Sequence, residues 1–333
     1  MMIRPRRNRR SAAIRGLVRE TILSPAHLIQ PLFLLPEAKA ESEVSSLPGT
    51  FRRGIERMLP EIEACIKVGI RSFVIFPAVP DEHKDKEATY SYAAENFYLE
   101  AAKTIKKHFP EACLISDVAM DPYSIDGHDG LVGQGKILND ESLPILAKMS
   151  VAQAEAGFDI LGPSDMMDGR VGFMRQALDA EGFYETGIMS YTAKYASAYY
   201  GPFRAALDSA PREDENIPKD KKTYQMDPAN AREALREAFL DTEEGADFLM
   251  VKPALHYLDI IALLKAETEL PIAAYHVSGE CAMLLAACQN GWLDYEQAMP
   301  EVLLSIHRAG ADAILTYFAK DYAERYSKGL LAR

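Results

Sequence analysis

Two lysines stand out as groups able to do chemistry. Lys252 closes the apolar run DFLMVK and is followed by Pro253. An ammonium at the end of such a run is costly unless paired, and loss of hydration lowers its pKa. A neutral amine there can attack a carbonyl to form a Schiff base. A lysine snorkelling to the protein's rim is the competing reading. Lys194 lies three residues beyond a second apolar run, GIMSY, among Tyr191, Tyr195, Tyr199 and Tyr200. Those rings are expected either to desolvate it or to serve as ordinary helix packing. One imine-forming lysine makes an aldolase-like enzyme. Two at one mouth would hold two carbonyl substrates side by side and remove the entropy of a bimolecular condensation.

Carboxylates form the second group. Asp117, Asp121, Asp126 and Asp129 fall with His128 inside SDVAMDPYSIDGHDG. Acids so close repel one another, which suggests a hard-cation site or an acid of raised pKa; a turn-rich Asp/Gly loop is the plainer alternative. The phrase PSDMMDGR adds Ser164, Asp165 and Asp168, while Ser278 in HVSGE and Tyr317 in ILTYFAK end two further runs. No Ser-His-Asp spacing or G-x-S-x-G occurs, which argues against ester hydrolysis.

The elements that must position these groups follow from alternation. Short apolar runs recur at 28–35, 72–77, 112–118, 158–163, 187–191, 247–252, 271–277 and 313–317. Near-continuous apolar runs mark strands covered on both faces, as in parallel sheets. Helical patterns lie between most of them. In 229–244, Ala231, Ala234, Leu235, Ala238 and Phe239 share one face, with Asp227 as N-cap and Pro228 at the first turn. A weak repeat closes helices on glycine before a strand: Glu155-Ala-Gly-Phe-Asp, Glu244-Gly-Ala-Asp and Arg308-Ala-Gly-Ala-Asp, with Lys67-Val-Gly-Ile-Arg a looser copy. Eight such units predict an α/β fold, a (β/α)8 TIM barrel spanning 28–333, with an extended N-terminal arm over 1–27. A doubly wound open sheet competes, but no G-x-G-x-x-G follows an early strand. The polar segment 208–222 holds nine charges and two prolines after the fifth strand. Together with the residues up to 226 it is expected to form an active-site lid.

Composition narrows the classes. The chain has 333 residues, 48% hydrophobic and 26% charged, which is ordinary for a globular protein and excludes disordered and fibrous classes. No apolar run approaches the ~18 residues that span a bilayer, and no secretory signal is readable. Five arginines crowd the first ten residues, so the net charge of −12 leaves −17 on the rest. An acidic body repels phosphates, so neither nucleic acid nor membrane is expected as a partner, and the basic arm is read as docking on another copy of the chain. Cys65, Cys113, Cys281 and Cys288 show no metal-ligand spacing and read as buried hydrophobes in a reducing cytoplasm.

The phrases SYTAKYASAYYGPFR, KTYQMDPANAREALRE, FLMVKPALHYLDI, VSGE and ILTYFA, with PSDMMDGR and the Asp-rich loop, closely resemble the porphobilinogen synthase (5-aminolaevulinate dehydratase) family. The likeness runs from about Arg6 to the end. It implies a (β/α)8 barrel with an N-terminal arm, a homo-octamer, and condensation of two 5-aminolaevulinate molecules to porphobilinogen, a step towards haem and chlorophyll. It further implies that Lys252 and Lys194 are the Schiff-base lysines for the propionate-side and acetate-side substrates. Ser278 and Tyr317 match the groups binding the first carboxylate. Arg204, Lys221 and Gln225 match those binding the second, and Ser164 and Tyr191 match further active-site positions. Where zinc-dependent members carry three cysteines, this chain has Ala119, Asp121 and Asp129. Carboxylates suit Mg²⁺ or a monovalent cation rather than Zn²⁺, so no catalytic zinc is expected; Asp117, Asp121 and Asp129 are assigned to the catalytic loop. Asp126 stands where the family often has His. Glu237 aligns with a residue that anchors a hydrated allosteric Mg²⁺ in magnesium-stimulated members; from its helix alone it would be a solvated charge.

Overall fold

The computed structural model describes residues 3–207, 210–212 and 214–331. Eight parallel strands form the barrel: Leu28–Leu34, Ser72–Pro77, Cys113–Ile115, Ile160–Leu161, Gly187–Lys194, Phe248–Lys252, Ile272–His276 and Ala313–Thr316. Each pairs with the next, and the first pairs with the last at Leu28↔Ile314 and Ile29↔Leu315, which closes the sheet. Helices intervene throughout, from Ile55–Lys67 to Ala319–Ser327. Every residue of the first strand is buried, as expected for a strand with side chains in the barrel on one face and under helices on the other.

The sequence repeat has a structural cause. Gly157, Gly245 and Gly310 sit at φ of +97°, +99° and +126°, a region that lets the chain leave a helix and turn into a strand. The aspartate two residues on then caps the neighbouring strand. Asp159 Oδ2 accepts the Leu114 N–H at 2.7 Å, Asp247 Oδ2 that of Ile188 at 2.7 Å, and Asp312 Oδ2 that of Ile272 at 2.8 Å. In the looser copy, Arg71 uses its backbone carbonyl instead, accepting from Cys113. These caps sit at the N-terminal end of the barrel, opposite the mouth, where such features serve stability.

Several expectations need correction. The third and fourth strands are much shorter than their apolar runs, although parallel pairing goes on past them through the isolated Val118↔Pro163 bridge. The helix expected from 229 starts at Arg232 with Ala231 as its N-cap; Asp227 instead closes the preceding turn, accepting from the Ala229 N–H at 2.9 Å. Two small strand pairs escaped the sequence reading. Glu41–Glu43 and Phe51–Arg53 extend the sheet from the first strand, and Leu131–Gly133 pairs with Lys136–Leu138 through a two-residue turn with positive φ at Gln134 and Gly135.

The 1–27 segment is described from Ile3. It carries a 3-10 helix, Pro5–Arg9, and an α-helix, Ala12–Leu17, and neither buries a residue. It attaches through Leu23, whose carbonyl accepts from the Tyr322 hydroxyl. Met1 and Met2 of the arm, Asp208, Ser209 and Glu213 of the lid, and Ala332 and Arg333 of the barrel segment lie outside the described residues.

Candidate active site

The fifth strand runs through to Lys194, three residues further than its apolar run indicated, so both lysines are strand ends. They are also direct neighbours, since Lys194 and Lys252 are register partners across the fifth and sixth strands. In a parallel pair this puts two long side chains on the same level of the barrel mouth.

Their surroundings differ. Lys252 Nζ faces the rings of Tyr275 at 4.6 Å, Tyr200 and Phe203 at 5.1 Å, and Tyr191 at 5.2 Å. The tyrosines expected to desolvate Lys194 thus divide differently: Tyr191 and Tyr200 serve Lys252, while Tyr195 stacks on Tyr257. Burial, then the charge of Lys194, lowers Lys252 to about 7, against the smaller opposing pull of Asp117, Asp129 and Asp121. Lys194 Nζ instead donates to Asp129 Oδ2 at 3.0 Å and to the Ser164 carbonyl.

The Asp-rich loop and the 208–226 segment meet over this mouth. Lys221, near the C-terminal end of the lid, is buried and donates to Asp129 Oδ1 at 2.7 Å and Asp121 Oδ2 at 3.0 Å. Burial alone would raise Asp129, but Lys194 and Lys221 together outweigh it and hold that carboxyl well below the ordinary range. Asp121 is pushed up by burial and by Asp129. Asp117 stands apart from the lysine pairs. It accepts from Ser164 Oγ at 2.7 Å and is raised to about 7 by burial first and Asp121 second.

The other expected residues divide into those the fold gathers and those it does not. Ser278 Oγ is buried and accepts the Phe203 N–H at 3.0 Å, which leaves its own proton free. Tyr317 meets the Tyr275 hydroxyl at 2.9 Å. Tyr191 Oη and Gln225 Oε1 are buried without a hydrogen-bond partner among the described residues, as groups awaiting a ligand would be. Arg204, half-buried in the helix after Lys194, lies over the Tyr200 ring at 5.7 Å. Asp165 is buried beside Arg170, and Asp168 is exposed. Asp126 is buried with Oδ2 unpartnered among the described residues, outside the lysine–carboxylate cluster. Glu237 is on the barrel's outer helix Arg232–Glu243, away from the mouth. Burial raises its carboxyl to about 7; Arg170 opposes this, and Asp241, Asp168 and Glu233 add to it.

Nothing in the sequence signalled that His128 and Tyr224 hold the 208–226 segment to the Asp-rich loop. His128 Nε2 meets the Pro218 carbonyl at 2.7 Å, and Nδ1 meets the Tyr224 hydroxyl at 3.0 Å. That hydroxyl also accepts the Asp129 N–H at 3.3 Å. Gly127 lets the lid approach, since a Cβ there would lie 2.2 Å from the Ala210 carbonyl oxygen. Phe203 and Tyr275 of the Lys252 cage were missed too. Their only signal was the position of Tyr275 in a strand and of Phe203 beside Arg204.

Fold and site together define a parallel-barrel enzyme with its reactive groups at the C-terminal mouth. The family model for delta-aminolevulinic acid dehydratase matches residues 2–325, and the chain belongs to that family. The delta-aminolevulinic acid dehydratase of Chlamydia pneumoniae is 50% identical over 326 residues, covering 98% of this chain and 97% of that protein. The chloroplastic enzyme of Oryza sativa subsp. japonica is 52% identical over 322 residues, covering 96% and 74%. The crystal structure of the Toxoplasma gondii ME49 enzyme in complex with the reaction product porphobilinogen superposes with a TM-score of 0.94 at 48% identity, covering 97% of this chain and 91% of that one.

Proposed function

We propose that this lyase-class enzyme condenses two 5-aminolaevulinate molecules to porphobilinogen with loss of two waters, each substrate held as an imine on one lysine. The observation that carries this is the register pairing of Lys194 with Lys252, which brings two amines to one level of one mouth. Lys252, lowered to about 7, supplies a neutral amine near neutral pH. Imine formation at each lysine expels the ketone oxygen as water. Formation of one C–C and one C–N bond between the substrates then releases both lysines. Asp117, which titrates near 7 and is hydrogen-bonded to Ser164, is suited to move protons during these steps, with Asp121 and Asp129 fixing the lysines around it.

The carboxylate of the first substrate would take the free proton of Ser278 and the hydroxyl of Tyr317. The second would take Arg204, Gln225 and the remaining N–H of Lys221, so lid closure and substrate binding are one event. At the aspartate loop the counter-charge comes from two ammonium groups; a monovalent cation or Mg²⁺ there would compete with Lys221. With carboxylates in place of thiolates, that loop suits a hard cation better than zinc. Among the described residues no three or more His, Cys, Asp or Glu side chains group to hold a metal. Glu237 and Glu233 border a surface cavity of about 790 Å³ that Arg232 and Arg236 also line. In this reading an Mg²⁺ held there would keep most of its water and supply structural, allosteric stabilisation.

We assign the arm to contacts within a homo-octamer. Ile3, Leu17 and Ile22 are 81%, 86% and 66% exposed, an apolar set that a second subunit would cover. The four free cysteines support a cytoplasmic location, and no described helix is long and apolar enough to cross a membrane. Nucleic acid is not a partner in this reading. Porphobilinogen formation from 5-aminolaevulinate, with borohydride trapping of levulinate on Lys252, tests the chemistry; absence of both would overturn it. Glu237→Ala should keep basal turnover and lose Mg²⁺ stimulation, a coupling of about 1–3 kcal/mol. An unaltered Mg²⁺ response would place the ion elsewhere.

A further inference from the structure

The VSGE phrase was singled out for its serine, yet its glutamate makes the more extensive connection. Glu280 is fully buried, with no lysine or arginine partner among the described residues. Oε1 accepts the Leu255 N–H at 2.8 Å and the His256 N–H at 3.3 Å, and meets His256 Nδ1 at 3.2 Å. Oε2 accepts the Val277 N–H at 2.9 Å. A carboxylate only accepts, so Nδ1 carries the ring's proton, and Nε2 then accepts from the Tyr199 hydroxyl at 3.0 Å. The Tyr199 and His256 rings stack at 4.3 Å. Gly279 completes the junction, because a Cβ there would lie 2.4 Å from the Tyr199 carbonyl oxygen.

These partners belong to three different mouth loops. Tyr199 follows Lys194 and precedes Phe203 and Arg204. Leu255 and His256 follow Lys252. Val277 precedes Ser278, which in turn accepts from Phe203. We propose that Glu280, with His256 and Tyr199, is a positioning junction that fixes the spacing between the two substrate sites. The inference rests on the two-imine reading above. Capture of a single ketone needs only Lys252 and its cage. Joining two captured substrates needs both loops in register, and a displacement of about 1 Å can cost about a hundredfold in rate.

Glu280→Gln keeps volume but must turn an amide donor towards a backbone donor. His256→Asn leaves the carboxylate's backbone bonds in place, sets an amide where the imidazole Nδ1 met Oε1, and removes the hydrogen bond and ring stack to Tyr199. Both would be compared with the parent for porphobilinogen kcat and KM, for the borohydride-trapping rate of levulinate at Lys252, and for cooperative melting. The expected result for Glu280→Gln is a kcat loss of about a hundredfold with trapping near the parental rate. For His256→Asn, a loss of about tenfold of the same kind is expected. If Glu280→Gln does not fold, His256→Asn decides. Parental kcat in the folded variants, or kcat falling only in step with trapping, overturns the junction. Failure of the parent itself to trap levulinate or make porphobilinogen overturns the two-imine reading instead.

Discussion

Lys194 and Lys252 are neighbours across one pair of strands, yet one sits among carboxylates and the other among rings. Both are almost wholly buried. Around Lys252 each ring can stabilise an ammonium by roughly 0.5–2 kcal/mol. Removing that ammonium from water costs several kcal/mol, and the Lys194 charge adds to the penalty. Loss of hydration wins, and the amine is lowered to about 7. Around Lys194 the neighbours are instead Asp129, which also binds Lys221, and the Ser164 carbonyl. Two lysines buried to the same degree thus meet different partners, rings for one and oxygens for the other.

The largest effect should come from removing the caged amine. Lys252→Met should lose about 4 kcal/mol or more of transition-state stabilisation, read from kcat/KM, because a covalent nucleophile is gone. Levulinate should then fail to add mass at position 252 after reduction, and near-normal turnover would end the covalent scheme.

A smaller loss is expected on the carboxylate side. Asp129→Asn leaves Lys194 buried with neutral acceptors in place of the carboxylate, which should cost about 3 kcal/mol of stability by urea unfolding. Trapping at Lys252 should survive, because its cage does not include Asp129. Loss of trapping in a folded Asp129→Asn protein would show that the two surroundings are not separable.

The mildest test varies pH alone. A lowered lysine pKa means that the neutral amine predominates above about 7 and the ammonium below it. Trapping at Lys252 should therefore rise about tenfold from pH 6 to pH 8 and then level off. A lysine at the ordinary 10.5 would keep climbing beyond pH 9, and that outcome would refute the role of the cage.

Much of the barrel was legible because its strands are covered on both faces, so Leu28–Leu34 and Phe248–Lys252 are apolar apart from Gln30 and the mouth lysine. The repeat was legible for a similar reason, since glycine at the helix end and aspartate at the strand start each answer a local backbone need. The long phrases around Lys194 and Lys252 carried the family. The Leu131–Leu138 hairpin was not legible, because two three-residue strands give no periodicity to read. The arm helices were also hidden, since a short basic segment with no buried face resembles a flexible tail.

By itself the sequence determined the alternation of the eight barrel strands with helices, the family, and that Lys252 closes a strand. Those properties are written in local spacing, where period and cap residues act over a few positions. Only the tertiary structure decided that Tyr275 and Phe203 cage Lys252, that Lys221 reaches back about a hundred positions to Asp121, and that Glu280 ties three loops together. These pairings depend on how the barrel closes, and a buried charge is tuned by whichever groups closure brings within a few ångströms, however distant they are along the chain.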